Sequence, residues 1–255
     1  MQLFDLTGQT ALVTGSSRGI GRAIAERLVE HGARVVISSR KSDACEAVAK
    51  EINQRHGVEA SIAVPASISS KDQLRNLVDT AKAAFGRISI LVCNAASNPY
   101  YGPMSGIDDA SFRKILDNNV LSNHWLIQMV APDMCAVRDG SIILISSIGG
   151  LRGSATIGAY GISKAADMQL VRNLAVEYGP YNVRINCIAP GVIKTDFSRA
   201  LWEDPEMTQR VTAMAPLRRF GEPDEVAGMA VCLAGPAGRF ITGQTVVIDG
   251  GDTIS

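Results

Sequence analysis

The sequence has no unbroken apolar run of the about eighteen residues that a membrane-crossing helix requires. Its opening segment, MQLFDLTGQTALVTG, lacks the basic start and long apolar stretch of a secretory leader. Net charge is missing as well. The 25 basic residues balance 25 acidic ones, so no overall field draws a phosphate backbone or an anionic bilayer, and neither nucleic acid nor membrane is an expected partner. Paired cysteines are absent: Cys45, Cys93, Cys135, Cys187 and Cys232 are odd in number, widely spaced and without a CxxC pair, which favours reduced core thiols. His31, His56 and His124 lack metal-ligand spacing, so no metal site is expected. The tail Gly251-Asp252-Thr253-Ile254-Ser255 matches no peroxisomal or reticular retrieval signal, and a cytoplasmic location is expected.

What is present is enough apolar material for a large core. With 255 residues, 46% hydrophobic and 20% charged, one α/β domain over residues 1–255 is expected. β-branched apolar runs at 10–14, 34–39, 60–64, 88–93, 141–146, 184–189 and 245–248 alternate with helical periods at 20–31, 44–56, 71–85, 110–137, 159–178 and 224–234. The strand runs are continuously hydrophobic, as in Ile142-Ile143-Leu144-Ile145, so both sheet faces must be covered, as in a doubly wound parallel sheet. Gly32, Gly57, Gly86 and Gly179 follow expected helices and are expected to end them in the left-handed conformation. Only about 193–219 lacks a clear rhythm. Its Phe197, Leu201, Trp202, Met207 and Met214 suit a lid over a substrate pocket.

Two constellations carry chemistry. The first strand runs into Thr14-Gly15-Ser16-Ser17-Arg18-Gly19-Ile20-Gly21 and a helix begins at once. Glycines there permit a tight turn and close approach of a pyrophosphate to the helix N-terminus. The spacing is GxxxGxG and departs from the general GxGxxG fingerprint. The second constellation is Tyr160 and Lys164, four apart on one helix face, with Ser147 thirteen residues before Tyr160 at the end of a buried strand. A free phenol has a pKa of about 10 and is a poor base at neutral pH, so an adjacent ammonium gives that spacing a chemical use.

Taken in order, Thr14-Gly15, Gly19-Ile20-Gly21, Asn94-Ala95-Ala96, Ser147, Tyr160, Lys164 and Pro190-Gly191 resemble the short-chain dehydrogenase/reductase family over most of the chain. The resemblance implies a Rossmann-type sheet with strand order 3-2-1-4-5-6-7. It also implies a hydride-transferring enzyme in which Ser147 hydrogen-bonds the substrate oxygen and Tyr160 exchanges its proton. Lys164 would hold the nicotinamide ribose and make Tyr160 more acidic, and Asn119 would bend its helix and hold a water in a proton relay to Lys164. Asn119 is preferred to Asn118 because Val120 matches the apolar residue that usually follows, and Ser147 to Ser146 because of its interval to Tyr160. Cofactor contacts carry over to Gly15, Ser17, Arg18, Gly19, Ile20 and Gly21 in the turn, to Asn94 by the adenosine ribose, and to Pro190, Gly191, Ile193 and Thr195 along the nicotinamide.

After the second strand, Ser39-Arg40-Lys41 stands where an NAD site usually carries a carboxylate. Neutral Ser39 and the Arg40 fork suit a 2′-phosphate, and Arg18 points to the same group in NADP-using relatives. NADP(H) is therefore the expected cofactor, with NAD(H) the alternative. The family's aspartate after the third strand is missing, since the chain reads Pro65-Ala66-Ser67-Ile68, leaving Ser67 and Ile68 as the adenine contacts.

Residues 97–104, with Ile148, Leu151 and Arg152, are expected to border the pocket; they are chiefly apolar or aromatic, and Arg152 leaves room for a substrate carboxylate. Asn98-Pro99, the run 193–198 and Ala200-Leu201-Trp202 resemble the carbonyl-reductase branch, which reduces retinal, α-dicarbonyls and aromatic ketones. The alternatives are a 3-oxoacyl-carrier-protein reductase, with Arg138 as a candidate carrier contact, and a non-catalytic cofactor-sensing regulator. Relatives in this family lead us to expect a homotetramer.

Overall fold

The computed structural model describes residues 2–57 and 59–255. Among these, seven strands form one sheet: β1 (Thr10–Thr14), β2 (Arg34–Ser38), β3 (Ser61–Ala63), β4 (Ile90–Cys93), β5 (Gly140–Ile145), β6 (Val183–Pro190) and β7 (Thr245–Ile248). Their order is β3-β2-β1-β4-β5-β6-β7 and every pairing is parallel. This is the Rossmann-type arrangement that the motifs imply. Nine α-helices accompany the sheet among the described residues: α1 (Gly19–Glu30), α2 (Ser42–His56), α3 (Lys71–Phe85), α4 (Asp109–Leu116), α5 (Ser122–Val137), α6 (Gly158–Tyr178), α7 (Arg199–Trp202), α8 (Pro205–Met214) and α9 (Pro223–Ala234).

The continuous hydrophobic runs divide between two cores because successive strand side chains point to opposite faces. Ala11, Val13, Val35, Ile37, Ile143 and Ile145 pack with Ile24, Leu28 and Val231 from α1 and α9. Leu12, Val36, Ile142 and Leu144 pack on the other face with Leu74, Leu77, Leu126 and Met168 from α3, α5 and α6. Several helix starts are written in the sequence. Ser70, Asp108 and Asp204 accept hydrogen bonds from Gln73, Ser111 and Glu206 amides and cap α3, α4 and α8.

The helix expected over 110–137 is present as α4 and α5, and the bend expected at Asn119 is a π turn at Asp117–Leu121 that holds Asn118 and Asn119; such a turn inserts a residue and re-aims the side chains on it. Two expectations are corrected. Gly179 does not end α6 in the left-handed region, with φ −53°; the chain continues through a short turn and Asn182, at φ 58°, takes that conformation. Gly32, Gly57 and Gly86 do have positive φ. The segment without clear rhythm is largely helical, containing α7 and α8, whose short lengths and partial burial give little periodic signal.

Because all strands run the same way, Thr14, Cys93, Ile145 and Pro190 end at one edge of the sheet. β1 pairs with β2 on one side and with β4 on the other, so the chain reverses its direction of sheet growth there. A crevice at such a switch point is where open α/β sheets bind ligands.

Candidate active site

The glycine turn connects β1 to α1 at that switch point. Gly15 and Gly19 have φ of 67° and 55°. Gly21 is needed for closeness instead of for φ: a Cβ there would lie 2.4 Å from both Asn94 Nδ2 and the Gly15 carbonyl oxygen. Asn94 accounts for this packing. Its side-chain amide donates to the carbonyls of Thr14 and Gly15 at 2.9 and 3.2 Å, and its backbone amide donates to Thr14 Oγ1 at 3.1 Å. Asn94, placed near the ribose from sequence, thus ties β4 to the turn. Ser16, outside the expected set, also holds the turn: its hydroxyl donates to the Val13 carbonyl and accepts from the Ser38 amide.

No side chain caps the N-terminus of α1, so its first amides and the positive end of its dipole face the turn. Together with the glycines, which leave no Cβ in the way, this cradle fits the pyrophosphate of a nicotinamide dinucleotide. Ser17 and Ile20 are half-buried beside it. At the end of β2, Arg40 is exposed and Ser39 half-buried, with Ser39 Oγ 3.1 Å from Cys45 Sγ. The exposed Arg18 guanidinium lies 3.3 Å from Asp196 of the segment after β6, a surface pair joining the turn to that segment. Ser67 lies after β3 with its amide donating to Gln73 Oε1 and its hydroxyl on Ser69, and Ile68 packs on the core.

On the far side, Pro190 and Gly191 leave β6. Ile193 is buried and bridges to Gly221, while Thr195 begins a short turn in which its amide donates to Ser198 Oγ. Trp202 donates to the Thr195 carbonyl at 2.9 Å, fastening α7 to this stretch. The ring of Phe197 lies 6.2 Å from that of Tyr160, so the segment after β6 reaches over the tyrosine.

The four expected catalytic residues converge. Ser147 follows β5, half-buried, and its Oγ accepts from the Gly149 amide at 3.0 Å. Neighbouring Ser146 is buried and donates to the Lys164 carbonyl, a structural bond that leaves Ser147 as the serine facing the crevice. A Cβ on Gly149 would stand 3.4 Å from Ser147 Oγ and 4.0 Å from the Tyr160 ring, so serine and tyrosine both border that glycine. Lys164 is 2% exposed, and its Nζ lies 5.7 Å from the Tyr160 ring centroid. Asn119, fully buried on the π turn, accepts from the Ser97 amide and donates to the Ser97 carbonyl and Ser163 Oγ. Asn118 reaches only Ser97 Oγ, so Asn119 is the asparagine that contacts α6.

Two further residues were not evident from sequence. Lys164 Nζ donates to the Ile145 carbonyl at 2.9 Å and to Asp167 Oδ2 at 3.2 Å. Asn123 Nδ2 donates to Asp167 Oδ1 at 3.0 Å and to the Asn119 carbonyl at 2.6 Å. Burial works against the Lys164 ammonium, but the charges of Asp167 and Tyr160 outweigh it and hold its pKa above the ordinary lysine range. Burial pushes the Asp167 carboxyl up, opposed by Lys164 and Asn123. The available signal was Asp167 itself, a carboxylate three residues after Lys164 on the helix face directed at the core.

Arg152 is not free for a substrate carboxylate as expected. Both its terminal nitrogens bond Asp252, at 2.8 and 2.7 Å, pinning the loop after Ser147 to the C-terminal segment.

The family model described as enoyl-(acyl carrier protein) reductase matches residues 15–253. Dehydrogenase/reductase SDR family member 4 of Bos taurus is 40% identical over 247 residues, covering 96% of this chain and 88% of that protein. The chain belongs to the short-chain dehydrogenase/reductase family. A tropinone reductase homologue of Arabidopsis thaliana is 38% identical over 253 residues, covering 99% of this chain and 95% of that protein. Among solved structures, a gluconate 5-dehydrogenase from Burkholderia cenocepacia in complex with NADP and tartrate matches with a TM-score of 0.94 and 31% identity, over 100% of this chain and 98% of that one. A 7 alpha-hydroxysteroid dehydrogenase complexed with NADH and 7-oxo glycochenodeoxycholic acid matches with a TM-score of 0.93 and 36% identity, over 98% and 96%. As a short-chain dehydrogenase/reductase, this chain is an NAD(P)-dependent oxidoreductase. No helix of the described residues is long and apolar enough to cross a membrane.

Proposed function

We propose that this short-chain dehydrogenase/reductase uses NADP(H) to interconvert a hydrophobic or aromatic ketone or dicarbonyl and its secondary alcohol. The reading is carried by the convergence of Ser147, Tyr160 and the buried Lys164 ammonium at the sheet edge beside the glycine cradle. When bound, the nicotinamide supplies or takes the hydride. In reduction, Ser147 Oγ donates to the substrate oxygen and Tyr160 gives that oxygen its phenolic proton. Lys164, fixed by Ile145 and Asp167, stabilises the phenolate left behind and has one N–H left that would hold the nicotinamide ribose. Pro190, Gly191, Ile193 and Thr195 would hold the nicotinamide, Asn94 and Ser67 the adenosine, and Ser39 with Arg40 the 2′-phosphate.

The apolar character of the crevice favours a carbonyl on a hydrophobic scaffold. Phe197 tops Tyr160, and exposed Tyr101, Met104 and Leu151 lie on the segments expected at its mouth. With Arg152 spent on Asp252, the argument for an anionic substrate weakens. The carrier-protein alternative weakens too, because Arg138 donates to the Pro180 carbonyl at 2.8 Å and so holds a corner of the fold. A homotetramer fits the apolar groups left outward, Phe240 and Val176 among them, and the five unpaired thiols suit a reducing cytoplasm.

The test is NADPH oxidation with acetophenone, benzil and diacetyl set against acetoacetyl-coenzyme A. Preference for the aromatic and dicarbonyl compounds is expected; a strong thioester preference reverses the order of the two readings, and no turnover with any carbonyl removes both.

A further inference from the structure

Behind Lys164 lies a buried run of side chains, Asp167 and Asn123. Asp167 is 0% and Asn123 3% exposed. A carboxylate without water is costly unless it is paired and hydrogen-bonded, and here each oxygen has one donor, Lys164 Nζ on Oδ2 and Asn123 Nδ2 on Oδ1. Asn123 is itself placed by the π turn, since the same amide donates to the Asn119 carbonyl. Asn119 is thus connected to Lys164 through two side chains of this chain, beside the water relay that the family resemblance implies.

Resting on the reading of Tyr160 as the acid/base, we propose that Asp167, held by Asn123, is the positioning residue and counter-ion of Lys164, and that its negative charge tempers the field the ammonium exerts on Tyr160. Three observations support it. Lys164 has three N–H donors, and Asp167 with the Ile145 carbonyl fixes two, which sets the direction of the third. The other titratable groups facing the pair are thiols from the sheet, Cys93 on β4 and Cys187 on β6, and Tyr160 on its own helix. Burial pushes the Cys93 thiol far up and that of Cys187 up to about 12, so both stay neutral. The carboxylate is then the anion that offsets Lys164 when Tyr160 carries its proton. Without the Asp167 charge the buried ammonium would have only the Tyr160 oxygen to offset it, which favours the phenolate.

The test separates charge from shape. The five tyrosines share one ultraviolet phenolate band, and subtracting the titration of Tyr160→Phe from that of the unaltered protein isolates Tyr160. The same subtraction is made in the Asp167→Asn background, with and without NADP bound. Loss of the carboxylate leaves the ammonium unopposed, so the Tyr160 band should rise about one pH unit or more lower than in the unaltered protein. The alkaline fall in kcat/KM for benzil reduction should move the same way. Coincident titrations, or a move to higher pH, overturn the proposal even if kcat or thermal stability drops, because a purely structural role lowers those without moving the titration. Asp167→Leu, which fills the space without misdirected donors, carries the same expectation should the asparagine variant not fold. A displaced titration in a protein that reduces no carbonyl would leave this inference standing and remove the functional reading; an inactive Tyr160→Phe with an undisplaced Asp167→Asn would do the reverse.

Discussion

Asn119 Nδ2 donates to Ser163 Oγ at 3.0 Å, and Ser163 Oγ donates in turn to the Tyr160 carbonyl at 2.7 Å, so the π turn and α6 are tied one residue before Lys164. Asn119→Ala removes that tie and also leaves the Ser97 amide and carbonyl without their partner. Each orphaned buried polar group costs about 1–3 kcal/mol. A total loss of about 2–4 kcal/mol, read as a Tm lower by roughly 5–12 °C, is expected. Turnover should fall by up to about a hundredfold through misplacement of Tyr160 and Lys164. An unchanged Tm would mean that the turn is held by the rest of α4 and α5 alone.

Tyr160→Phe keeps the ring against Phe197 and deletes only the ionisable oxygen. Loss of a positioned acid/base lowers kcat by about 10²–10⁴-fold, while NADPH affinity, measured by fluorescence titration, should be nearly unchanged. Activity retained at the original level would assign the proton transfer to another group.

Gly21→Ala should fail for a reason that backbone conformation does not supply, because Gly21 sits inside α1 without a positive φ. The added methyl meets Asn94 Nδ2 and the Gly15 carbonyl oxygen, each at 2.4 Å. Forcing it in displaces the turn at a cost of about 1–3 kcal/mol and weakens NADPH binding. Adding Asn94→Ala should not restore affinity, since the Gly15 carbonyl is still in the way. Full recovery in the double variant would show that the side-chain contact alone required glycine.

The sheet and the candidate catalytic residues were legible because each leaves a local record. Continuous apolar runs such as Ile142-Ile143-Leu144-Ile145 demand a sheet covered on both faces, and Tyr160 with Lys164 sits at a helical interval. The bend at Asn119 came from the family resemblance alone: Asp117-Asn118-Asn119 fits a helix as well as a bulge, and the hydrogen bonds of Asn119 to Ser97 and Ser163 that accompany the bulge are made across the fold. Asp167 leaves no local record for a related reason, as its partner Asn123 lies 44 residues away and becomes its neighbour only when α5 meets α6. The pairing of Arg152 has no local record either, since its bidentate partner Asp252 lies 100 residues away.

Arg40→Asp probes the 2′ pocket. The exposed guanidinium next to Ser39 would be replaced by a carboxylate that repels a 2′-phosphate and accepts from a 2′-hydroxyl. Charge-assisted hydrogen bonds contribute about 1.5–3 kcal/mol, so KM for NADPH should rise roughly 10- to 100-fold. KM for NADH should change little or fall. An equal rise for both cofactors would relocate the phosphate contact, with Arg18 released from Asp196 as the next residue to substitute.

Thiol reactivity offers a check on the core behind Lys164. Cys45, Cys93 and Cys187 are buried, whereas Cys135 and Cys232 are half-buried. Alkylation needs a thiolate and access, and burial pushes the Cys93 and Cys187 thiols up, the latter to about 12. Iodoacetamide at about pH 8 should therefore modify Cys135 and Cys232 first, and leave the other three until guanidinium unfolds the chain. Peptide mass spectrometry gives the order directly. Labelling of Cys93 in the folded protein, at a rate matching that of Cys135, would mean that β4 opens beside Asp167 under native conditions, and a carboxylate with access to water there would no longer need Asn123 to hold it.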